Sequence, residues 1–381
     1  MTSTSKTKGK AHVVLGMSGG VDSSVAGHVL TRAGYQVTGL FMKNWEEDDE
    51  ADSCSAAVDL HDAEAVAAQI GISLRTVNFA TEYWDRVFMH FLHEYEAGRT
   101  PNPDVLCNRE IKFKEFREHA ERLGAEHIAT GHYARARETA HGTQLLRAKD
   151  ANKDQTYFLH ALDQKALKGV QFPLGEMQKS EVRALALELQ LPVHAKRDST
   201  GICFIGERPF ADFLSRFLRT SPGPIVTSDG VTVGQHRGAH VYTIGQRHGL
   251  GIGGSRRYQD GTPWYVYDKD VDSNTVYVVQ GHDHPLLLSE ALDAIDVNWI
   301  AGEPPAETFK ASAKTRYRQV DEPCTVTVTE NGGVHVTFDA PQRAVACGQS
   351  VVLYQGEVCL GGGVIDATRA VSQTPGAEAV A

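Results

Sequence analysis

Gly16-Met17-Ser18-Gly19-Gly20-Val21-Asp22-Ser23 lies between the apolar run Val13-Val14-Leu15 and an amphipathic stretch that begins near Asp22. Paired glycines let a backbone turn sharply and bring its N–H groups close to an anion. A helix that follows adds unpaired N–H groups and a partial positive charge at its start. Val21, Val25 and Val29, with Leu30, recur at helical spacing and give that helix a face to bury against a sheet. Strand, glycine turn and helix in this order predict a pyrophosphate cradle. A phosphate loop built for γ-phosphate transfer ends in Gly-Lys-Ser or Gly-Lys-Thr. This loop contains no lysine, which disfavours that chemistry.

Working outward, strand-like runs at Val13 to Leu15, Val37 to Met42 and Ser73 to Phe79 alternate with helical patterns at 22–33 and 55–70. Another strand is expected at His127 to Thr130, before Gly131-His132-Tyr133. The alternation predicts a parallel sheet with helical crossovers, whose ligands bind at the carboxyl ends of strands. The acidic run Glu46 to Glu50 reads as a solvated loop. From residue 224 the pattern changes to short alternating runs: Ile225 to Val233, Trp264 to Asp268 with Asn274 to Val279, Cys324 to Val328 with Val334 to Phe338, and Ser350 to Tyr354 with Glu357 to Leu360. Hairpins this dense predict a small barrel. The expected fold class is therefore α/β: a parallel-sheet catalytic domain at 10–215, a small, mostly β central domain at 216–285, and a C-terminal β-barrel at 286–367. The remainder, 368–381, reads as a disordered tail.

The 381 residues suffice for two or three domains, and 41% hydrophobic content is ordinary for a globular protein. There is no run of ~18 apolar residues to span a membrane and no apolar leader, so cytoplasmic residence is expected. A net charge of -10 provides no general field for nucleic acid, so an RNA partner needs local basic patches. Six cysteines, at 54, 107, 203, 324, 347 and 359, form no Cys-x-x-Cys pair, which argues against a zinc ribbon or a thioredoxin-like dithiol.

Two cysteines sit in unusual surroundings. Thr100-Pro101-Asn102-Pro103-Asp104-Val105-Leu106-Cys107-Asn108 reads as a loop entering a helix, with Asn102 as N-cap and Pro103 at the first helical position. Asp104 and Cys107 then share a face, where a thiol gains thiolate character and a carboxylate can take a proton from a substrate. Cys203 lies between Gly201 and Gly206, which suits either a sharply turned, exposed thiol or a structural one. Cys54, Cys324, Cys347 and Cys359 read as structural. Gly249 to Gly254 fits G-x-G-x-x-G but has neither a preceding strand nor a following helix, so it reads as a loop. Lys310, Ser312, Lys314, Arg316 and Arg318 alternate with smaller or apolar residues, which on one strand would give a cationic face for phosphates. Arg256-Arg257 and Lys112, Lys114 and Arg117 offer further basic patches.

The loop resembles the Ser-Gly-Gly-x-Asp-Ser loop of ATP pyrophosphatases, which split ATP between the α and β phosphates. Together with Asn102 to Asn108, Gly131-His132-Tyr133, Lys153-Asp154-Gln155, Ser199 to Phe204 and Tyr242 to Arg247, it resembles the tRNA-specific 2-thiouridylases, in order over residues 12–366. That resemblance implies a tRNA-uridine 2-sulfurtransferase acting on the wobble uridine of Lys, Glu or Gln type tRNA. It implies ATP on Gly16, Met17, Ser18, Gly19, Gly20, Val21, Asp22 and Ser23, with Met42 and Gly131 at the adenosine and Mg2+ on the phosphates. Asn102, Pro103 and Asp104 would meet the uridine, Cys203 would carry the persulfide and Cys107 would be its partner nucleophile. His132, Lys153, Asp154, Gln155, Arg316, Tyr317 and Gln349 would contact tRNA. A persulfide-carrying relay protein or cysteine desulfurase is the implied sulfur source, and a monomer the implied state. A 4-thiouridine or lysidine synthetase, or an RNA-binding protein with a vestigial nucleotide site, are the alternatives; the two cysteines and the intact loop weigh against them.

Overall fold

The computed structural model describes residues 11–46, 55–198, 210–252 and 261–371. Cys54, Cys203, Arg256, Arg257, most of the acidic run and the last ten residues of the chain lie outside the described residues.

The first domain carries β1 (His12–Gly16), α1 (Val21–Arg32), β2 (Gln36–Lys43), α2 (Ser55–Ile70) and β3 (Ser73–Asn78), followed later by β4 (His127–Ala129) and β7 (Val170–Gln171). The sheet order is β3-β2-β1-β4-β7, and every pairing is parallel. Strand order reverses between β1 and β4, so the crevice beyond their carboxyl ends is the natural ligand position of such a sheet. Val13, Val14 and Leu15 are all fully buried. Val14 joins a core with Phe88, Phe116 and Ile128, whereas Val13 and Leu15 join the core under α1 and α2 with Val25, Ala63 and Val66. A central parallel strand covered on both faces requires this continuous apolar run.

The hairpin of β5 (Arg135–Thr139) and β6 (Gly142–Leu146) leaves this domain and joins another sheet. The central unit holds β8 (Gly223–Thr227), β9 (Thr232–His236), β10 (Trp264–Asp270) and β11 (Thr275–Gln280), in the order β10-β11-β8-β9. The last unit contains β12 (Leu288–Trp299), β13 (Thr308–Lys314), β14 (Glu322–Val328), β15 (Val334–Arg343), β16 (Ser350–Gln355) and β17 (Val358–Ala370). The order β12-β15-β14-β13-β16-β17, with β12 also pairing β17, closes a six-stranded barrel. Val358 and Cys359 of β17 pair with Leu146 and Leu145 of β6, so the first domain and the barrel share one sheet. The expected tail begins too early: Thr368, Arg369 and Ala370 are still strand, paired with Leu292, Ala291 and Ser289. Alternation of small and polar residues there satisfies a ladder without the apolar content that marks a core strand.

The seam between these units is polar as well as apolar. Asn298 of β12 donates to the carbonyls of His160 and Leu162, at 2.8 and 3.0 Å. The His160 ring donates from Nδ1 to the Tyr157 carbonyl at 2.8 Å, and burial holds its pKa down to about 4. Unfolding lets this imidazole return to its ordinary value of 6.5, so the unfolded chain binds a proton that the native chain refuses. Its contribution to stability should be full above pH 6.5 and should fall progressively towards pH 4. We expect His160→Asn to flatten the thermal-unfolding profile in that window, measured as melting temperature against pH; an unchanged slope would refute this.

Candidate nucleotide site and sulfur-transfer loop

Between Gly16 and Val21 the chain reverses in four residues. Met17 donates its N–H to the Leu40 carbonyl at 2.9 Å and buries its side chain against β2, so only its backbone is available to a ligand. Gly19 has φ +71°, and a Cβ there would collide with the Asp59 carbonyl. Ser23 Oγ accepts the Ser18 N–H at 3.2 Å and donates to the Gly20 carbonyl at 3.1 Å, while Ser24 Oγ donates to that carbonyl at 2.8 Å. The two serines therefore fix the loop from within. Gly20 is the N-cap of the twelve-residue helix α1 and provides no side-chain cap. Its first turn is thus an anion-binding end. Two more expected residues border it: a Cβ on Gly131 would stand 2.9 Å from the Ser23 nitrogen, and one on Gly16 would stand 3.3 Å from Met42 Cε.

Cations that the loop lacks arrive from distant segments. Lys179, first residue of α3 (Lys179–Glu188), lies 2.7 and 2.8 Å from the two Asp22 oxygens and 2.8 Å from Asp198. The Tyr133 hydroxyl donates to Asp22 at 2.8 Å; burial, followed by the Asp22 carboxylate, keeps this phenol protonated. Asp198 also pairs with Lys153 at 2.8 Å and with Arg183. Burial opposes its charge, but hydrogen bonds from Lys153 and Lys179 prevail and hold its carboxyl well below the usual range. On the other side, Lys196 donates to the Gly19 carbonyl at 3.0 Å and pairs with Asp59 at 2.7 Å and Asp62 at 2.6 Å. The sequence reading missed Lys179, Lys196 and Asp198. Their only local signals are the helix-start pattern at Gln178 to Glu181 and the charged run Lys196-Arg197-Asp198.

The second segment is built as expected at its start. Asn102 caps the helical turn Pro103–Leu106 by accepting the Asp104 N–H at 3.2 Å, with Pro103 at the first position. Gln349 in the barrel donates to the Thr100 and Pro101 carbonyls at 2.7 and 3.3 Å, and Thr100 donates to the Cys347 carbonyl at 2.8 Å. The barrel thereby holds the loop that leads to Asp104 and Cys107. Cys107 itself departs from the expectation of a polar environment: it is fully buried in the apolar core. It opens a π-helical stretch, Cys107–Glu115, whose Ile111 and Phe113 face the same core. Wider turns of this kind cluster at functional sites. Asn108 ties the stretch to the Phe158 carbonyl at 3.1 Å. Cys324 and Cys359 are core residues with thiols pushed up to about 12 by burial, in keeping with their structural reading. Burial raises Cys347 as well.

The remaining expected residues are dispersed by role. His132 is half-buried beside Phe113 and Phe172, bonded to Thr130 Oγ1 at 2.8 Å, and burial followed by nearby Lys112 holds its ring neutral. Asp154 is buried, its carboxylate accepting from Ala148 N–H at 3.0 Å and from Thr156. Gln155 Oε1 accepts the Tyr133 N–H at 2.9 Å. Tyr317 packs on Phe158 with ring centres 4.4 Å apart, and burial pushes its phenol up to about 12. Arg316 donates to the Ile244 carbonyl at 2.6 Å and to the Ala344 carbonyl at 2.8 Å, joining the central unit to the barrel. The expected cationic row is therefore corrected. β13 ends at Lys314, Lys314 is buried beside Arg147, Asp154 and Asp321, and Arg316 is directed between domains. Alternating small residues did mark a strand, but barrel closure placed both faces of its end inside the molecule.

Among the described residues, no group of three or more His, Cys, Asp or Glu is placed to hold a metal ion. No described helix is long and apolar enough to cross a membrane.

Three family descriptions match in succession: the tRNA methyl transferase HUP domain over 11–207, the tRNA methyl transferase PRC-barrel domain over 211–280, and the aminomethyltransferase beta-barrel domain over 289–365. The chain is 59% identical over 355 residues to the tRNA-specific 2-thiouridylase MnmA of Proteus mirabilis, covering 93% of this chain and 96% of that one. It is 59% identical over 360 residues to that of Ralstonia nicotianae, covering 94% and 97%. With that of Marinobacter nauticus it shares 57% over 373 residues, covering 97% and 95%.

Two substitutions test this geometry. Gly131→Ala should displace the start of α1, weaken any ATP binding there by roughly tenfold or more and cost about 1–3 kcal/mol of stability; calorimetric titration and denaturant unfolding showing wild-type affinity and stability would refute the close approach. Lys314→Glu places a carboxylate beside Asp154 and Asp321 and should cost at least about 2 kcal/mol of stability, read from denaturant unfolding. Wild-type stability with weakened tRNA binding would instead restore a surface role.

Proposed function

Because the chain belongs to the tRNA-specific 2-thiouridylase MnmA family, we propose that it uses ATP to adenylate the C2 oxygen of the wobble uridine in tRNA and then replaces that oxygen with sulfur. The observation that carries this reading is the serine-tied glycine loop at the uncapped start of α1, beside Gly131 and Met42. The Cys107 stretch runs directly into Phe116, whose ring lies 3.9 Å from the Cβ position of Gly16. Loop and thiol segment thus share one packing unit.

ATP would lie on residues 16–23, its adenosine between Met42 and Gly131. A uridine carbonyl oxygen leaves poorly; attack of that oxygen on the α-phosphorus expels pyrophosphate and turns it into part of an AMP leaving group. Mg2+ usually takes one or two carboxylates together with substrate phosphates and several waters. Asp22, an acidic side chain at the loop, fits that mode. The ion would supply charge neutralisation on the pyrophosphate.

Asn102, Pro103 and Asp104 would seat the uridine, with Asp104 taking the N3 proton. Cys203 would bear the persulfide delivered by a relay protein or cysteine desulfurase. The Cys107 thiolate attacks the Cys203 sulfur, the S–S bond to the outer sulfur breaks, and hydrosulfide leaves. Hydrosulfide adds at C2, AMP departs with the original oxygen, and a reductant opens the resulting Cys107–Cys203 disulfide. Of the expected tRNA-contact residues, His132, Lys153, Gln155, Arg316, Tyr317 and Gln349 retain some surface, whereas the buried Asp154 would act through the shape it holds.

This order of events separates two classes of variant. Cys107→Ser and Cys203→Ser should each abolish 2-thiouridine while still forming adenylated tRNA, followed by single-turnover trapping and nucleoside mass analysis. Asp22→Ala should lose both products. Normal 2-thiouridine from either cysteine variant would remove that thiol from the reaction.

A further inference from the structure

Two guanidinium groups meet where the central unit joins the barrel, and among the described residues neither forms an ion pair. Arg316 donates from Nη2 to the Ile244 and Ala344 carbonyls, at 2.6 and 2.8 Å. Arg343, the last residue of β15, donates from Nε to the His282 carbonyl at 2.7 Å and lies over the Tyr265 ring, 4.7 Å from its centre. Ala344 beside it takes φ +56° and donates its N–H to the Leu287 carbonyl at 2.7 Å, which fixes the backbone between the two units. Both side chains converge on Gly245: a Cβ there would stand 3.5 Å from Arg316 Nη2 and 3.6 Å from Arg343 Nη1. Arg343 Nη2 is buried and has no hydrogen-bond partner. Burial lowers the Arg316 pKa, Tyr157 opposes it, and the charge of Arg343 adds to the lowering.

Carbonyls solvate a guanidinium without neutralising it. Like charges held this close repel, and a half-buried cation without a counter-ion is costly. What the pair lacks is an anion, and the planar fork of arginine matches phosphate oxygens. Tyr317, next in the chain to Arg316, keeps part of its surface and packs on Phe158 with ring centres 4.4 Å apart. Cations beside an accessible aromatic ring are the arrangement that holds single-stranded nucleic acid. We propose that Arg343 is an RNA-binding residue, which together with Arg316 clamps one backbone phosphate of the tRNA at the joint between the central unit and the barrel. This inference rests on the reading that tRNA is the substrate. The phosphate places one negative charge against two positive ones and offers Arg343 Nη2 the acceptor that the protein does not supply. Because the two arginines hang on carbonyls of both units, the same phosphate braces the joint.

The test is tRNA binding, over a range of salt, by the full-length wild-type chain, Arg343→Gln, Arg343→Lys, Arg316→Gln and the double variant of Arg316→Gln with Arg343→Gln. Arg343→Gln should weaken tRNA roughly tenfold, the worth of one hydrogen bond to a charged group. Its salt slope should fall, by at most the roughly 0.7–0.9 of one phosphate contact. Its ATP affinity should stay within about twofold of wild type, since the clamp lies apart from the glycine loop. Arg343→Lys, which keeps the charge, should keep most of the slope. The double variant should lose the slope of one contact and not of two, because both arginines hold the same phosphate. Wild-type affinity and slope in Arg343→Gln, equal losses in the glutamine and lysine variants, a slope loss of two contacts in the double variant, or a matching loss of ATP affinity would overturn the clamp. Failure of the wild-type chain to bind tRNA would overturn the underlying reading as well. Should Arg343→Gln not fold, arginine-selective labelling of the wild-type protein decides: tRNA should protect Arg343, and identical labelling with and without tRNA would overturn the proposal.

Discussion

Strand β1 has no solvent-facing side: Val13 and Leu15 are locked into one apolar cluster and Val14 into the other, so the chain leaves the sheet at Gly16 from a point that packing does not let it shift. The loop geometry inherits this fixity. With one end held by β1 and the other by the buried Val21 and Val25 of α1, the four intervening residues need only small corrections, which the Ser18, Ser23 and Ser24 bonds supply. The close approaches of Asp59 and Gly131 then follow, because β4 lies beside β1 and the two chain ends emerge together. A rigid scaffold carrying a polar loop is how open parallel sheets make binding sites.

Electrostatically the site is a set of balanced pairs. Asp22 and Asp198 on one side and Asp59 and Asp62 on the other are each met by a lysine from beyond residue 178. None of these pairs is deeply buried, so their worth lies less in stability than in placing charge where a polyanion must dock. A chain with a net charge of -10 needs such local concentration.

Legibility of the sequence followed the range of the interactions. The loop, its helix, the Asn102 cap and the barrel hairpins are local patterns, in which each residue's role depends on neighbours a few positions away, and the structure contains all of them. Lys179 and Lys196 reach Asp22 and Gly19 across more than 150 residues, and no local period encodes that. The same limit explains Lys314 and Arg316. Their alternation is that of an exposed strand, but closure of the barrel buried Lys314 and the seam with Ile244 drew in the half-buried Arg316. Cys107 shows the converse: a polar, proline-punctuated segment delivers its thiol to the core because Ile111 and Phe113 in the following turns pull that face inward.

The hairpin formed by β5 and β6 belongs to the first domain by chain position and to the barrel sheet by hydrogen bonding. Backbone ladders do not stretch or slide the way side-chain seams do, so the pairing of β6 with β17 fixes the register between the first domain and the barrel. The central unit is fastened differently, through guanidinium contacts from the barrel to carbonyls, such as Arg316 to Ile244 and Arg343 to His282. A substrate that rested on both ends of the chain would meet two surfaces whose spacing is set by that shared ladder, with the central unit attached through side chains.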